Sequence, residues 1–113
     1  MSSSPTQRSL EVMRERGYLC DVVERWIPGA NVRRDLYGFI DLLCIVRDPH
    51  SELFRIDAFV AVQASSGTIV AARITKITEH ENLAAVRKAG SRILVHGWSK
   101  RKGRWRLREE DLS

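Results

Sequence analysis

Leu36-Tyr-Gly-Phe-Ile-Asp-Leu-Leu-Cys-Ile-Val46 is an apolar run interrupted by one carboxylate, Asp41. The run is too apolar for a strand with one wet face, so it predicts a central strand over 36–46. A carboxylate inside such a strand is costly unless it is paired, protonated or bound to a cation. A second apolar run, Ala58 to Val62, ends in Gln63-Ala64-Ser65. Residues 54–65 read as the next strand, joined to the first through the turn Asp48-Pro49-His50-Ser51. Gln63 and Ser65 share one face of it, because strand side chains alternate. Two neighbouring strands therefore bring Asp41 and the Gln63/Ser65 pair toward one place, the simplest way to build a small polar site.

Outward from this pair, residues 7–16 predict a helix, with Leu10 and Met13 three apart. Tyr18 to Trp26 alternates and predicts a strand, and Pro28-Gly29-Ala30-Asn31 a turn. On the other side, Ser66 or Thr68 caps a helix running to about His80, whose apolar stripe is Ala71, Ile74 and Ile77. Glu81 to Ala89 is a second helical segment, and Ile93 to Trp98 a strand. Lys100 to Gly103 is a basic turn leading to a strand that alternates Arg104, Arg106 and Arg108 against Trp105 and Leu107. The order α-β-β-β-α-(α)-β-β predicts an α/β sandwich, a mixed sheet flanked by helices. Residues 1–6 are expected as a flexible N-terminal tail and 7–113 as a single domain.

Composition narrows the function classes. The chain has 113 residues, 43% of them hydrophobic and 29% charged, the balance of an ordinary globular domain with one core. No apolar stretch reaches the roughly 18 residues that span a bilayer, so no membrane partner is expected. The first residues lack the basic and apolar regions of a secretory signal. The two cysteines, Cys20 and Cys44, form no CxxC and lie in apolar settings, which predicts buried reduced thiols and a cytoplasmic location.

The net charge of +5 is unevenly placed. Residues 1–86 hold ten Lys/Arg and eleven Asp/Glu; residues 87–108 hold nine Lys/Arg and no acid. Such a concentrated basic segment attracts polyanions by neutralising phosphates and releasing counterions. Lys100, Arg101, Lys102, Arg104 and Arg106, with Arg33, Arg34 and Arg73, are the candidate nucleic-acid contacts. Trp98 and Trp105 lie among these cations, and their rings are expected in the core. His50, His80 and His96 show no metal-ligand spacing. Ser65-Ser66-Gly67 lacks the G-x-S-x-G pattern of a nucleophile elbow.

Gly38-Phe-Ile-Asp41 on the second strand, with Gln63-Ala-Ser65 ending the third, resembles the PD-(D/E)XK nuclease superfamily. The nearest resemblance is to its small archaeal-type Holliday-junction-resolvase-like members, including short phage-borne versions. The resemblance runs from the first helix to the strand at Ile93. It implies a restriction-endonuclease-like αβββαβ core and a DNA endonuclease that hydrolyses phosphodiesters with Mg²⁺ or Mn²⁺, structure-specific or junction-resolving, working as a homodimer. It makes Asp41 a metal ligand and sets Gln63 and Ser65 where the family has Glu and Lys. Glu11 matches a Glu that many members carry on the first helix, and others have extra acids near the strand entry, where Glu24 and Asp35 lie; Glu24 or Glu11 would complete the ligands. With no Lys at 65, Lys76 is the substitute cation at the catalytic position, ahead of Arg73, because arginine does not act as a base. Gln in place of Glu keeps an oxygen ligand and loses a charge. The same departures define the alternative, a catalytically inactive module of this fold that binds nucleic acid. A more distant third reading is a domain whose basic strands dock an acidic protein.

Overall fold

A computed structural model describes residues 4–53 and 58–113. Helix α1 spans Pro5–Glu15. Ser4 caps it, its Oγ accepting the Gln7 N–H at 3.2 Å, and Pro5 occupies the first turn, where a missing N–H is harmless. Residues 5 and 6 thus belong to the helix and not to the tail expected over 1–6. The strands follow: β1 (Tyr18–Val22), β2 (Arg25–Ile27), β3 (Val32–Arg34), β4 (Leu42–Val46) and β5 (Phe59–Ser66). A 3-10 turn at Gly67–Ile69 leads into α2 (Val70–Thr78), then α3 (Leu83–Lys88), β6 (Arg92–Arg101) and β7 (Arg104–Asp111).

Five strands form one mixed sheet in the order β1-β4-β5-β6-β7. Only β5 and β6 run parallel, linked by the helical crossover; the other neighbours are antiparallel. On one face α1 covers a core that includes Met13, Leu42, Cys44, Val60 and Val62. On the other, α2 and α3 pack through Ile77 and Leu83 against Phe39, Ile40, Ala61, Ile93 and Val95. Fully burying a side chain of this kind contributes roughly 1.5–3 kcal/mol, so the two layers hold the sheet between them. The chain is thus a mixed α/β fold with helices on both faces of the sheet. Among the described residues no helix is long and apolar enough to cross a membrane.

Several elements depart from the sequence reading. The strand expected over 18–26 ends at Val22, and Arg25–Ile27 pairs instead with Val32–Arg34 as a separate two-stranded ribbon. The linear pattern holds no sign of β3, because its side chains are all exposed and carry no apolar alternation. The strand expected over 36–46 begins only at Leu42. Residues 36–40 close on themselves: Leu36 N–H donates to Ile40 O at 2.9 Å, and Ile40 N–H to Leu36 O at 3.0 Å. Tyr37 at φ 54° and Gly38 at φ 91° turn the chain in the left-handed region, which an extended strand excludes. Residues 54–57 of the next predicted strand lie outside the described residues. The two cysteines are not separate thiols. The β1–β4 register sets Cys20 opposite Cys44, and their sulfurs are joined as a disulfide. Reduced thiols therefore no longer argue for a cytoplasmic location.

The register also decides where a site can form. Val22, Leu42, Val62 and Leu94 lie in one row across β1, β4, β5 and β6. β1 ends and β4 begins at that row, and β5 and β6 run on past it in the same direction. β6 leaves its last β5 partner at Trp98 and reaches Arg101, roughly 10 Å farther at strand rise. The β2–β3 ribbon and the β6–β7 hairpin thus both emerge at one end of the sheet. β1 and β6 stand three strand spacings apart there, roughly 14 Å.

Candidate metal centre and nucleic-acid surface

Asp41 sits between these two arms. It is not within β4 but one residue before it, where its backbone continues the ladders on both sides. Its N–H donates to Val62 O at 2.9 Å, and its carbonyl accepts the Val23 N–H at 2.8 Å. The residue is 2% exposed. Oδ2 accepts from Gln63 Nε2 at 2.6 Å and from the Ala64 N–H at 2.8 Å. Asp41 and Gln63 therefore meet directly, from neighbouring strands. The amide presents its nitrogen to Asp41, while Gln63 Oε1 is buried with no hydrogen-bond partner among the described residues.

Two more acids complete the group. Carboxylate oxygens of Glu24, Asp35 and Asp41 lie within 4.8 Å of one another. Glu24 arrives from the end of β1 and Asp35 from the end of β3, immediately before the 36–40 loop. Each outer acid has a cation: Arg33 Nη1 lies 3.1 Å from Glu24, and Lys76 Nζ lies 3.4 Å from Asp35. Asp41, the most buried, has none among the described residues. Burial pushes its carboxyl up to about 8, a hydrogen bond to Asp35 and the negative charges of Asp35 and Glu24 push the same way, and the Ala64 N–H opposes them. Near neutral pH a proton thus holds the place where positive charge is wanted.

That arrangement fits a hard divalent cation. The donors are carboxylate oxygens, the donor type Mg²⁺ and Mn²⁺ prefer. A buried amide oxygen without a partner lies on the Gln63 side chain that touches Asp41. Glu24, Asp35 and Asp41 would hold the ion, with Gln63 Oε1 as the added neutral donor.

Other residues expected at the site fall near it or away from it. Glu11 is exposed on α1 and lies outside the acid group. Ser65 turns its hydroxyl to main chain, donating to Ser66 O at 3.2 Å and His96 O at 3.3 Å, rather than to the acids. Lys76 joins the group through Asp35, and Arg73, one helical turn earlier on α2, has a buried Nε without a partner among the described residues. Asp35, which the resemblance sets with Glu24 as an extra acid near the strand entry without making it a ligand, is a full member of the group.

A second polar constellation superficially suggests nucleophilic chemistry. Ser9 Oγ lies 2.8 Å from His96 Nδ1, and His96 Nε2 lies 2.7 Å from Glu109. Glu109 accepts only, so Nε2 carries the hydrogen, and Ser9 donates to Nδ1 while accepting from Trp98 Nε1 at 2.9 Å. Ser9 and His96 are both 0% exposed, so no substrate reaches the hydroxyl. Burial holds His96 below its ordinary value; burial raises Glu109, but the bonds from Arg16 and His96 outweigh it and hold that carboxyl low. This is a saturated network, a neutral His96 on an ionised Glu109 beside Arg16, that fastens α1 to β6 and β7.

The basic hairpin is exposed. Lys102 and Gly103 form its two-residue turn, both at positive φ, with Arg101 opposite Arg104. Trp98 is buried as expected, but Trp105 is 43% exposed, with the Arg8 guanidinium 3.4 Å from its ring centroid and Lys100 Nζ at 5.6 Å. β7 is an edge strand, and most of its residues are exposed. Arg33 and Arg34 lie on β3, in the opposite arm.

Comparison with protein-family models, with curated proteins and with solved structures finds no match to this chain.

Proposed function

We propose that the chain is a DNA endonuclease of the PD-(D/E)XK kind that works with Mg²⁺ or Mn²⁺, on a restriction-endonuclease-like core. The observation that carries this reading is the three-carboxylate group, with Asp41 unpaired by any cation among the described residues, set between two basic arms at one end of the sheet. A divalent cation bound there would activate water and stabilise the charge developing on the phosphate. The chain's own residues do the rest. Glu24, Asp35 and Asp41 hold the ion in place. Gln63 and the Ala64 N–H fix the Asp41 carboxylate. Lys76, paired with Asp35, adds positive charge from α2, with Arg73 one turn earlier on the same helix, and the hairpin arginines neutralise flanking phosphates.

The direct test is cleavage of plasmid and branched oligonucleotide DNA with each cation. Activity in Mg²⁺ or Mn²⁺ that disappears with a chelator supports the reading. No cleavage with either ion, together with no cation-induced rise in Tm, overturns it.

One observation favours the inactive module as the second reading: Gln63 gives Asp41 a hydrogen bond donor where the family's Glu would add negative charge. Salt-dependent DNA binding without cleavage is its signature. Both readings share the hairpin. Changing Lys100, Arg101 and Lys102 together to alanine is expected to weaken DNA binding about equally across sequences. The slope of log Kd against log salt should fall by about one for each phosphate that the protein no longer neutralises. An unchanged slope removes the hairpin from the interface.

A further inference from the structure

Beside the acids lies a cleft of about 490 Å³, within the size range of small-ligand sites. Asp35 belongs to both, so whatever enters the cleft lies against the proposed centre. The cleft is lined by Arg25, Arg34, Tyr37, His80, Glu81 and Asn82 among others.

Three features give it a chemical character. Arg25 and Arg34 are directly opposite one another across the β2–β3 ribbon. Like charges so placed repel, and neither has a carboxylate partner among the described residues, so an anion between them removes the conflict. Tyr37 is 60% exposed, which wastes an aromatic surface unless something stacks on it. Its exposure is enforced: it sits at φ 54°, its carbonyl accepts from Asn82 Nδ2 at 3.0 Å, and Gly38 N–H donates to Asp35 O at 3.1 Å behind it. Finally, Glu81 and Asn82 supply acceptor and donor groups suited to the edge of a base.

We propose that this cleft binds one unpaired nucleotide of the DNA strand, its phosphate between Arg25 and Arg34 and its base on Tyr37. The inference rests on the proposed function and names its substrate class: strands with an unpaired base at the cut, such as flaps, frayed ends and single strands. A base inside an intact duplex cannot reach Tyr37 without leaving its stack.

The test uses the whole protein with Ca²⁺ in place of Mg²⁺ and a single strand carrying 2-aminopurine, alongside the matching duplex. Parent protein and Tyr37→Phe are expected to quench the 2-aminopurine. Tyr37→Ala should not, and should bind the single strand about 5- to 150-fold more weakly, the range for losing one stacked base. Duplex binding, held by the β6–β7 hairpin, should be unaffected, and a matched Tm for the two variants shows that the fold is intact. Equal quenching and equal single-strand affinity in Tyr37→Ala overturn the inference while the nuclease reading stands. A parent protein that cleaves duplex DNA but does not bind the single strand does the same. Absence of binding to either form overturns both.

Discussion

Asp41→Asn is expected to leave a protein more stable than the parent at alkaline pH and insensitive to divalent cations. The parent's Asp41 carboxyl is raised from 3.8 to about 8, so between those values the folded chain holds a proton that the unfolded chain has lost. Stability of the cation-free parent therefore falls as pH climbs through that window, by up to about 1.4 kcal/mol per pH unit. Asparagine reproduces the protonated acid. Its oxygen accepts from Gln63 Nε2 and the Ala64 N–H, and its amide donates to Asp35. The pH slope should flatten. In the parent, a cation must displace the proton, so the rise in Tm with Mn²⁺ should be larger at pH 8.5 than at pH 6. At a hundredfold excess over Kd that stabilisation is about 2.7 kcal/mol. Thermal melts of both proteins, with and without Mn²⁺, at the two pH values decide the matter. An equal Mn²⁺ response in the variant would show that Asp41 holds no ion.

Gly38→Ala carries the largest expected loss of stability. A Cβ at this position would lie 2.2 Å from His80 Nε2 and 2.7 Å from Cε1, and φ is +91°. His80 cannot easily withdraw. Its ring packs edge-on against Phe39 with centroids 5.4 Å apart, and its Nδ1 accepts the Asn82 N–H at 3.0 Å. Overpacking costs about 1–3 kcal/mol and the left-handed backbone about one more, which together is a large share of a total stability of about 5–15 kcal/mol. Because Gly38 sits in the loop between Asp35 and Asp41, the Mn²⁺ response should also fail. Urea midpoints measure the first effect. His80→Ala in the same chain should recover the overpacking part but not the backbone part, and a double-mutant cycle separates the two. A midpoint change worth less than about 1 kcal/mol would refute the close approach.

Part of the site was legible in the linear pattern. An acid amid Leu36 to Val46, followed by a strand ending in Gln63, predicts that Asp41 and Gln63 come together, and they touch at 2.6 Å. Period-two alternation also puts Ser65 on the Gln63 face, yet its hydroxyl turns to carbonyl oxygens of β5 and β6, a choice that only the packed backbone reveals. The 36–40 loop leaves no break in the apolar pattern, because Phe39 and Ile40 are buried whether the chain is extended or turned. Tyr37-Gly38 was the available signal, a glycine where a left-handed turn needs one. The Ser9–His96–Glu109 chain joins residues 87 and 13 positions apart, and no local pattern encodes that meeting.

The sequence alone determined the order of most elements, the separation of charge along the chain, and the presence of one buried acid that needs a counterpart. Those properties are local: apolar periodicity selects helix or strand, and composition places cations. The tertiary structure alone decided that Glu24 and Asp35 converge on Asp41, that Cys20 faces Cys44, and that both basic arms leave the same end of the sheet. Those depend on strand register and on how each loop returns, and both are settled by packing two apolar layers against one sheet rather than by any short stretch of residues.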